Sequence, residues 1–150
     1  MQLTPYLFFD GRCEEALEFY NKALGAKVKM LIRNKESPVP PPPEHTRAGT
    51  EDKVMHCEVQ IGDVSFMVSD GMCSGNPAFK GFSLSLTLPD AKSVDRAFKA
   101  LSDKGKVDMP LTKTFWSDRF GMLTDRFGIQ WMLTVPQLAP EKIQRKAATA

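Results

Sequence analysis

The chain has 150 residues, 42% hydrophobic and 25% charged, enough to bury a core without disulfides or metals. A net charge of +2, from 20 basic and 18 acidic residues without a basic cluster, leaves no electrostatic footprint for nucleic acid. Cys13, Cys57 and Cys73 are odd in number and lack CxxC spacing, which argues against a disulfide framework or zinc knuckle. No apolar run is long enough for a membrane span. Met1–Phe9 shows no positive region leading a long apolar stretch, so no secretory leader is expected and the expected location is cytoplasmic.

In chain order, the pattern predicts a strand at Leu3–Phe9 and a helix at Cys13–Leu24. Ala16, Leu17, Tyr20 and Leu24 form one stripe of that helix, and Gly25 stops it. Strands follow at Lys27–Arg33, Val54–Ile61 and Val64–Ser69, the last two joined by the hairpin signature Gly62-Asp63. Between them, residues 34–53 hold five of the eleven prolines. This insert reads as an extended, poorly packed loop, either a mobile flap or a plain linker.

The second half replays the order. A strand at Phe82–Leu88 leads to Pro89-Asp90 and a helix at Ala91–Lys104 with Val94, Ala97, Phe98 and Leu101 on its stripe. Strands follow at Val107–Phe115, Phe120–Thr124 and Ile129–Val135. Leu3 to Phe82 and Val28 to Val107 are each 79 positions apart, whereas Phe66-Met67-Val68 answers Trp131-Met132-Leu133 at 65. One insertion, the proline-rich segment, explains the change. The chain is therefore expected to be an α+β domain over 1–136 made of two βαβββ modules, 1–75 and 80–136, with 137–150 a flexible tail.

Strand alternation separates two faces. Leu3, Leu7, Phe9, Met55, Cys57, Val59, Ile61, Val64, Phe66 and Val68 form the expected core of the first copy. Phe82, Leu86, Leu88, Ile129, Trp131, Leu133 and Val135 form that of the second. The other face mixes hydroxyls, amides, aromatics and methionines, with Glu58 as its one charged side chain, and suits a ligand cavity better than open solvent. Tyr6, His56, Glu58, Met67, Ser69, Ser85, Trp116, Phe120 and Met132 are its candidate ligand-binding residues.

His56 is either a general base or a hydrogen-bonded cavity wall. Glu58 shares its face and is either its acid–base partner or a solvated rim charge. Trp116 and Phe120 would stack on a planar ligand or seal a domain or dimer edge. Asp125, in Asp-Arg-Phe-Gly, reads as a turn residue that satisfies backbone amides, and Ser69-Asp70 as a loop closure. Cys73 has no histidine near it in sequence and reads as an inert loop thiol. The chain has neither GxGxxG nor GxxxxGK[ST], so no nucleotide cofactor is expected.

Pro5-Tyr6-Leu7-x-Phe9, Glu15-Ala16-Leu17-x-Phe19-Tyr20, His56 with Met67-x-Ser69-Asp70, Phe115-Trp116 with Phe120-Gly121, and Asp125-x-Phe127-Gly128-x-x-Trp131 together resemble one superfamily. It is the vicinal oxygen chelate, or glyoxalase/bleomycin-resistance, superfamily, and within it the PhnB-like family. The resemblance implies paired modules forming an open cup-shaped sheet with helices on the convex side, and usually a homodimer. In metal-dependent members a divalent ion is held from the first and last strands of each module. Those positions fall near Pro5 or Tyr6, near Phe82 or Ser83, and at Met67 and Met132, which are poor ligands for such an ion. No metal is expected there. Some PhnB-like proteins carry a methyltransferase label, but no Gly-rich nucleotide loop follows the first strand here. The expected function is a metal-free cup that binds a small molecule. The alternative is a lyase, isomerase or dioxygenase-like enzyme using His56 and Glu58, with or without a divalent metal.

Overall fold

In the computed structural model, residues 1, 3–39, 42, 47–74 and 77–136 are described. The chain divides into two compact units, Met1–Ala78 and Phe79–Ala150. The expected C-terminal tail, and residues 40, 41 and 43–46 of the proposed flap, lie outside the described residues.

The first unit runs β1 (Tyr6–Phe8), α1 (Cys13–Leu24), β2 (Lys27–Arg33), β3 (Val54–Ile61) and β4 (Val64–Ser69). Its sheet has the order β1-β4-β3-β2, with β1 parallel to β4 and the other pairs antiparallel. The second unit runs β5 (Leu84–Thr87), α2 (Ala91–Leu101), β6 (Lys106–Thr112), β7 (Phe120–Thr124) and β8 (Gln130–Thr134). Its order is β5-β8-β7-β6, with the same pattern of one parallel and two antiparallel pairs. Each unit is thus a βαβββ module, and the α+β duplication read from the sequence is present.

Local chemistry explains the elements. Cys13, Ala16, Leu17 and Tyr20 are the buried stripe of α1. Glu14 and Glu15 in its first turn and Lys22 in its last complement the helix dipole. Gly25 ends it at φ 69°, a left-handed conformation that costs glycine nothing, and its amide caps the Asn21 carbonyl at 2.9 Å. In α2, Asp90 is the N-cap, its carboxylate accepting the Ser93 amide at 2.8 Å, and Val94, Ala97, Phe98 and Leu101 are buried. Each helix packs on one face of its own sheet, α1 against β3 and α2 against β7 and β8.

Two buried aspartates organise the ends of these elements. The Asp70 carboxylate accepts the Cys13 amide, the first of α1, and the Val54 amide, the first of β3, both at 2.7 Å. Asp125 accepts the amides of Phe127 (2.9 Å) and Ile129 (3.0 Å) and the indole N–H of Trp131 (2.8 Å). Both match the turn-closing roles read from the sequence.

Several expectations need correction. β1 and β5 are shorter than expected, and α2 ends at Leu101 rather than Lys104. β6 stops at Thr112, short of Phe115, and β8 covers Gln130–Thr134. Leu3 and Phe82 precede their strands and are exposed, and Val64, the first residue after the hairpin turn, is 64% exposed. These three do not belong to the core, while Met55, Ile61, Leu86, Leu88 and Val135 are half-buried. The insert is also not wholly loose at its neck. A single 3-10 turn covers Asn34–Glu36, and the two ends are tied by Asn34 N–H to the Lys53 carbonyl (3.0 Å) and Lys35 N–H to the Glu51 carbonyl (2.9 Å). Arg33 adds a two-pronged ion pair with Glu14 of α1.

Register also refines the duplication. Tyr6 pairs with Met67 and Met67 with Glu58, as Ser85 pairs with Met132 and Met132 with Met122. Glu58 and Met122 are 64 positions apart, against 65 for Met67 and Met132. The β7–β8 turn therefore carries one residue more than the β3–β4 turn, beside the larger insertion in the first copy.

Candidate functional site

The face of the first sheet turned away from α1 gathers Tyr6, His56, Glu58 and Met67, all half-buried. Register fixes the row: Tyr6 on β1, Met67 on β4, Glu58 on β3 and Met30 on β2 are successive neighbours. His56 lies two residues before Glu58 and opposite Ile32. The Tyr6 hydroxyl crosses β4 and meets His56 Nδ1 at 3.1 Å, with ring centroids 5.7 Å apart. Phe8 also stacks on Tyr6, at 4.9 Å, and remains 56% exposed.

Ser69 pairs with Phe8 but is buried, and its hydroxyl accepts the Gly71 amide at 3.3 Å. It braces the end of β4 and offers little to a ligand. Cys57, on the opposite side of β3, is buried, and burial pushes its thiol up to about 11. Cys13 is raised further, also chiefly by burial. Cys73 sits in the loop after β4 at φ 52°, with its thiol raised by partial burial and by the nearby Asp70 carboxylate. All three thiols are shifted upward, the direction opposite to activation, which supports the reading of Cys73 as a loop thiol rather than a nucleophile.

The remaining candidates lie in the second unit. Ser85, Met132, Met122 and Met109 form its corresponding row. Phe120 opens β7, and Trp116 meets it edge to face at 5.5 Å and Phe115 at 4.6 Å. The loop carrying Trp116 is fastened by fully buried Ser117, whose hydroxyl meets Thr134 at 2.8 Å and donates to the Arg119 carbonyl at 3.0 Å. Sequence reading missed Ser117, and no local pattern marks it. A concavity of about 840 Å³ lies elsewhere, on the outer side of α2 along Lys92, Asp95, Arg96, Lys99 and Asp103. Its lining is solvated charge, and it shares no residue with either sheet face.

The divalent ion implied by the superfamily has no suitable donors here. In the first unit, the first- and last-strand positions are Tyr6 and Met67, paired directly across β1 and β4. In the second, register puts Ser85, rather than Phe82 or Ser83, beside Met132. A phenol, a hydroxyl and two thioethers do not suit a hard or borderline ion. Among the described residues, no three His, Cys, Asp or Glu side chains are grouped to hold a metal. No helix among them is long and apolar enough to cross a membrane.

Against known proteins, residues 1–134 match the family model described as 3-demethylubiquinone-9 3-methyltransferase. Protein YjdN of Escherichia coli K12 is 34% identical, over 93% of this chain and 99% of that protein. The crystal structure of PA1353 from Pseudomonas aeruginosa is 38% identical with a TM-score of 0.77, covering 90% of this chain and 97% of that one. The PhnB protein from Bacillus cereus is 28% identical with a TM-score of 0.74, over 91% and 100%. A glyoxalase/bleomycin resistance protein from Albidiferax ferrireducens shares the fold alone, with 13% identity, a TM-score of 0.55 and coverage of 89% and 98%.

Proposed function

The chain belongs to the family described as 3-demethylubiquinone-9 3-methyltransferase, the PhnB-like family of the glyoxalase/bleomycin-resistance fold, and on that premise we propose that it is a metal-free receptor for a small molecule. The observation that carries the reading is the Tyr6–His56 pair with Glu58 and Met67 on one half-buried sheet face. A face built only for solvent would be lined with lysine, arginine and glutamate. Polar groups held among aromatic and thioether surface are the composition of a ligand site. Ser85, Trp116, Phe120 and Met132 supply a second, less polar ligand-contacting surface on the other sheet, and Ser69 acts as a buried brace. The methyl transfer in the family's description is not carried over, because Asp10-Gly11-Arg12 follows β1 where a Gly-rich nucleotide loop would stand.

The protein would act as a cytoplasmic homodimer. Its three cysteines are free, and two of them are buried. The test is native mass spectrometry of protein purified without added metal or chelator, followed by denaturing analysis of the same sample. A dimer carrying an organic adduct and no divalent ion is the expected result. One tight divalent ion per subunit, lost in His56→Ala, overturns it and favours the enzyme reading, in which His56 and Glu58 are acid and base. The Tyr6 contact, which orients the imidazole, is the observation in favour of that second reading.

A further inference from the structure

We propose that Tyr6 is a positioning residue that holds His56 in its Nε2–H tautomer, and that His56 and Glu58 together read the amide edge of a planar ring. Such an edge places a C=O beside an N–H, as in lactams, cyclic ureas and pyrimidinones. The proposal deepens the small-molecule reading above and rests on it.

A neutral imidazole has one donor nitrogen and one acceptor nitrogen, and the partner of one sets the role of the other. The Tyr6 hydroxyl lies 3.1 Å from Nδ1, a contact in which either atom can donate. We assign the donor role to the phenol, which leaves the ring proton on Nε2. Glu58 follows two positions along β3, on the same face and about 7 Å away along the strand. Among the described residues, its half-buried carboxylate has no hydrogen-bond or ion-pair partner. A carboxylate only accepts. The pair thus presents one donor and one acceptor, able to converge on a single amide edge through hydrogen bonds of about 2.9 Å. Exposed Phe8, stacked on Tyr6, offers an aromatic face to the ring, and Met67 lies between Tyr6 and Glu58 in the row.

The duplication argues that the fold itself does not require these side chains. At the matching places in the second sheet stand Ser85 for Tyr6, Met122 for Glu58 and, two residues before Met122, Phe120 for His56. Met132 repeats Met67, but the donor and the acceptor are gone.

Two measurements on the full chain test the idea. Long-range ¹⁵N–¹H correlation of His56 should give the Nε2–H pattern, and Tyr6→Phe should mix the two tautomers. Titration with 2-pyridone, followed by amide shifts, should move His56 and Glu58 saturably. N-methyl-2-pyridone, which lacks the N–H, should bind at least tenfold more weakly. Glu58→Leu should remove that difference. A dominant Nδ1–H tautomer, equal affinity for the two probes, or no saturable shift with 2-pyridone overturns the proposal. If the native spectrum still carries an organic adduct, the edge reading alone has failed; if neither adduct nor probe binds, both have.

Discussion

Asp125 and Trp131, on either side of the β7–β8 turn, are joined by a buried hydrogen bond from the indole Nε1 at 2.8 Å. The same carboxylate holds the amides of Phe127 and Ile129. Removing it strands three buried donors, each costing about 1–3 kcal/mol when left unpaired. Asp125→Ala should therefore destabilise the second unit by about 3 kcal/mol or more. Trp131→Phe, which deletes one donor and keeps most of the ring, should cost less. Urea midpoints at neutral pH check both, and a loss below about 1 kcal/mol for Asp125→Ala would falsify this account of the turn.

The thiols give a second expectation. A thiol pushed up to about 11 is roughly one part in a thousand thiolate at pH 8, and Cys13 is raised beyond Cys57. Both are also buried, so the native protein should resist alkylation at these positions. Only Cys73, half-buried in its loop, should react with a disulfide reagent on the minute scale, and slowly. Under denaturant all three should react. Fast labelling of two or three thiols in the folded protein would contradict the burial described for α1 and β3.

Much of this architecture was readable from local pattern. The bounds of α1, β2, β3, β4 and β7 follow from helical stripes, alternation and turn residues, because those signals are short-range. Alternation failed at Leu3, Val64 and Phe82, where parity is right but the side chain stays exposed, Phe82 meeting the Phe79 ring edge to face at 6.2 Å. Leu3 and Phe82 lie before their strands begin, and Val64 sits at the hairpin end, away from the helix. Periodicity reports which face a residue takes and not how far the helix reaches. The membership of the site face was legible for the same reason. The Tyr6–His56 bond was not, since it joins residues 50 positions apart and depends on β4 lying between β1 and β3. Ser117 was hidden likewise, because its importance comes from Thr134 at the far end of β8.

Acid should weaken the second unit through two carboxylates held below their ordinary range. Asp90 is lowered first by the Ser93 amide that it caps, and Asp108 first by the Thr124 hydroxyl at 2.6 Å. A carboxyl whose folded pKa is depressed contributes stability above its unfolded pKa, near 4, and loses it as pH falls through the folded value. Denaturation midpoints should therefore hold from pH 7 to about 5 and decline below about 4. Asp90→Asn keeps a good cap without a titrating group, so it should match the parent at pH 7 and decline less in acid. Equal acid slopes for the two proteins would remove Asp90 from the explanation.

Gly105 and Gly25 follow the two helices, yet they should tolerate a methyl group very differently. A Cβ on Gly25 meets nothing within 4 Å, so alanine there faces only the left-handed backbone at φ 69°. That conformational cost is about 1 kcal/mol. A Cβ on Gly105 would lie 2.5 Å from the Thr124 carbonyl oxygen and 3.1 Å from the Asp125 Cα. Both obstacles are backbone at the end of β7, and the neighbouring Asp125 network holds that backbone in place. Relief requires moving the strand end or the chain leaving α2, so Gly105→Ala should cost about 2–3 kcal/mol, within the range of overpacked sites. The two variants, compared by thermal and urea unfolding, separate steric crowding from backbone preference. A Gly105→Ala protein as stable as Gly25→Ala would mean that the β7–β8 turn yields easily, and the rigidity ascribed to Asp125 would fall with it.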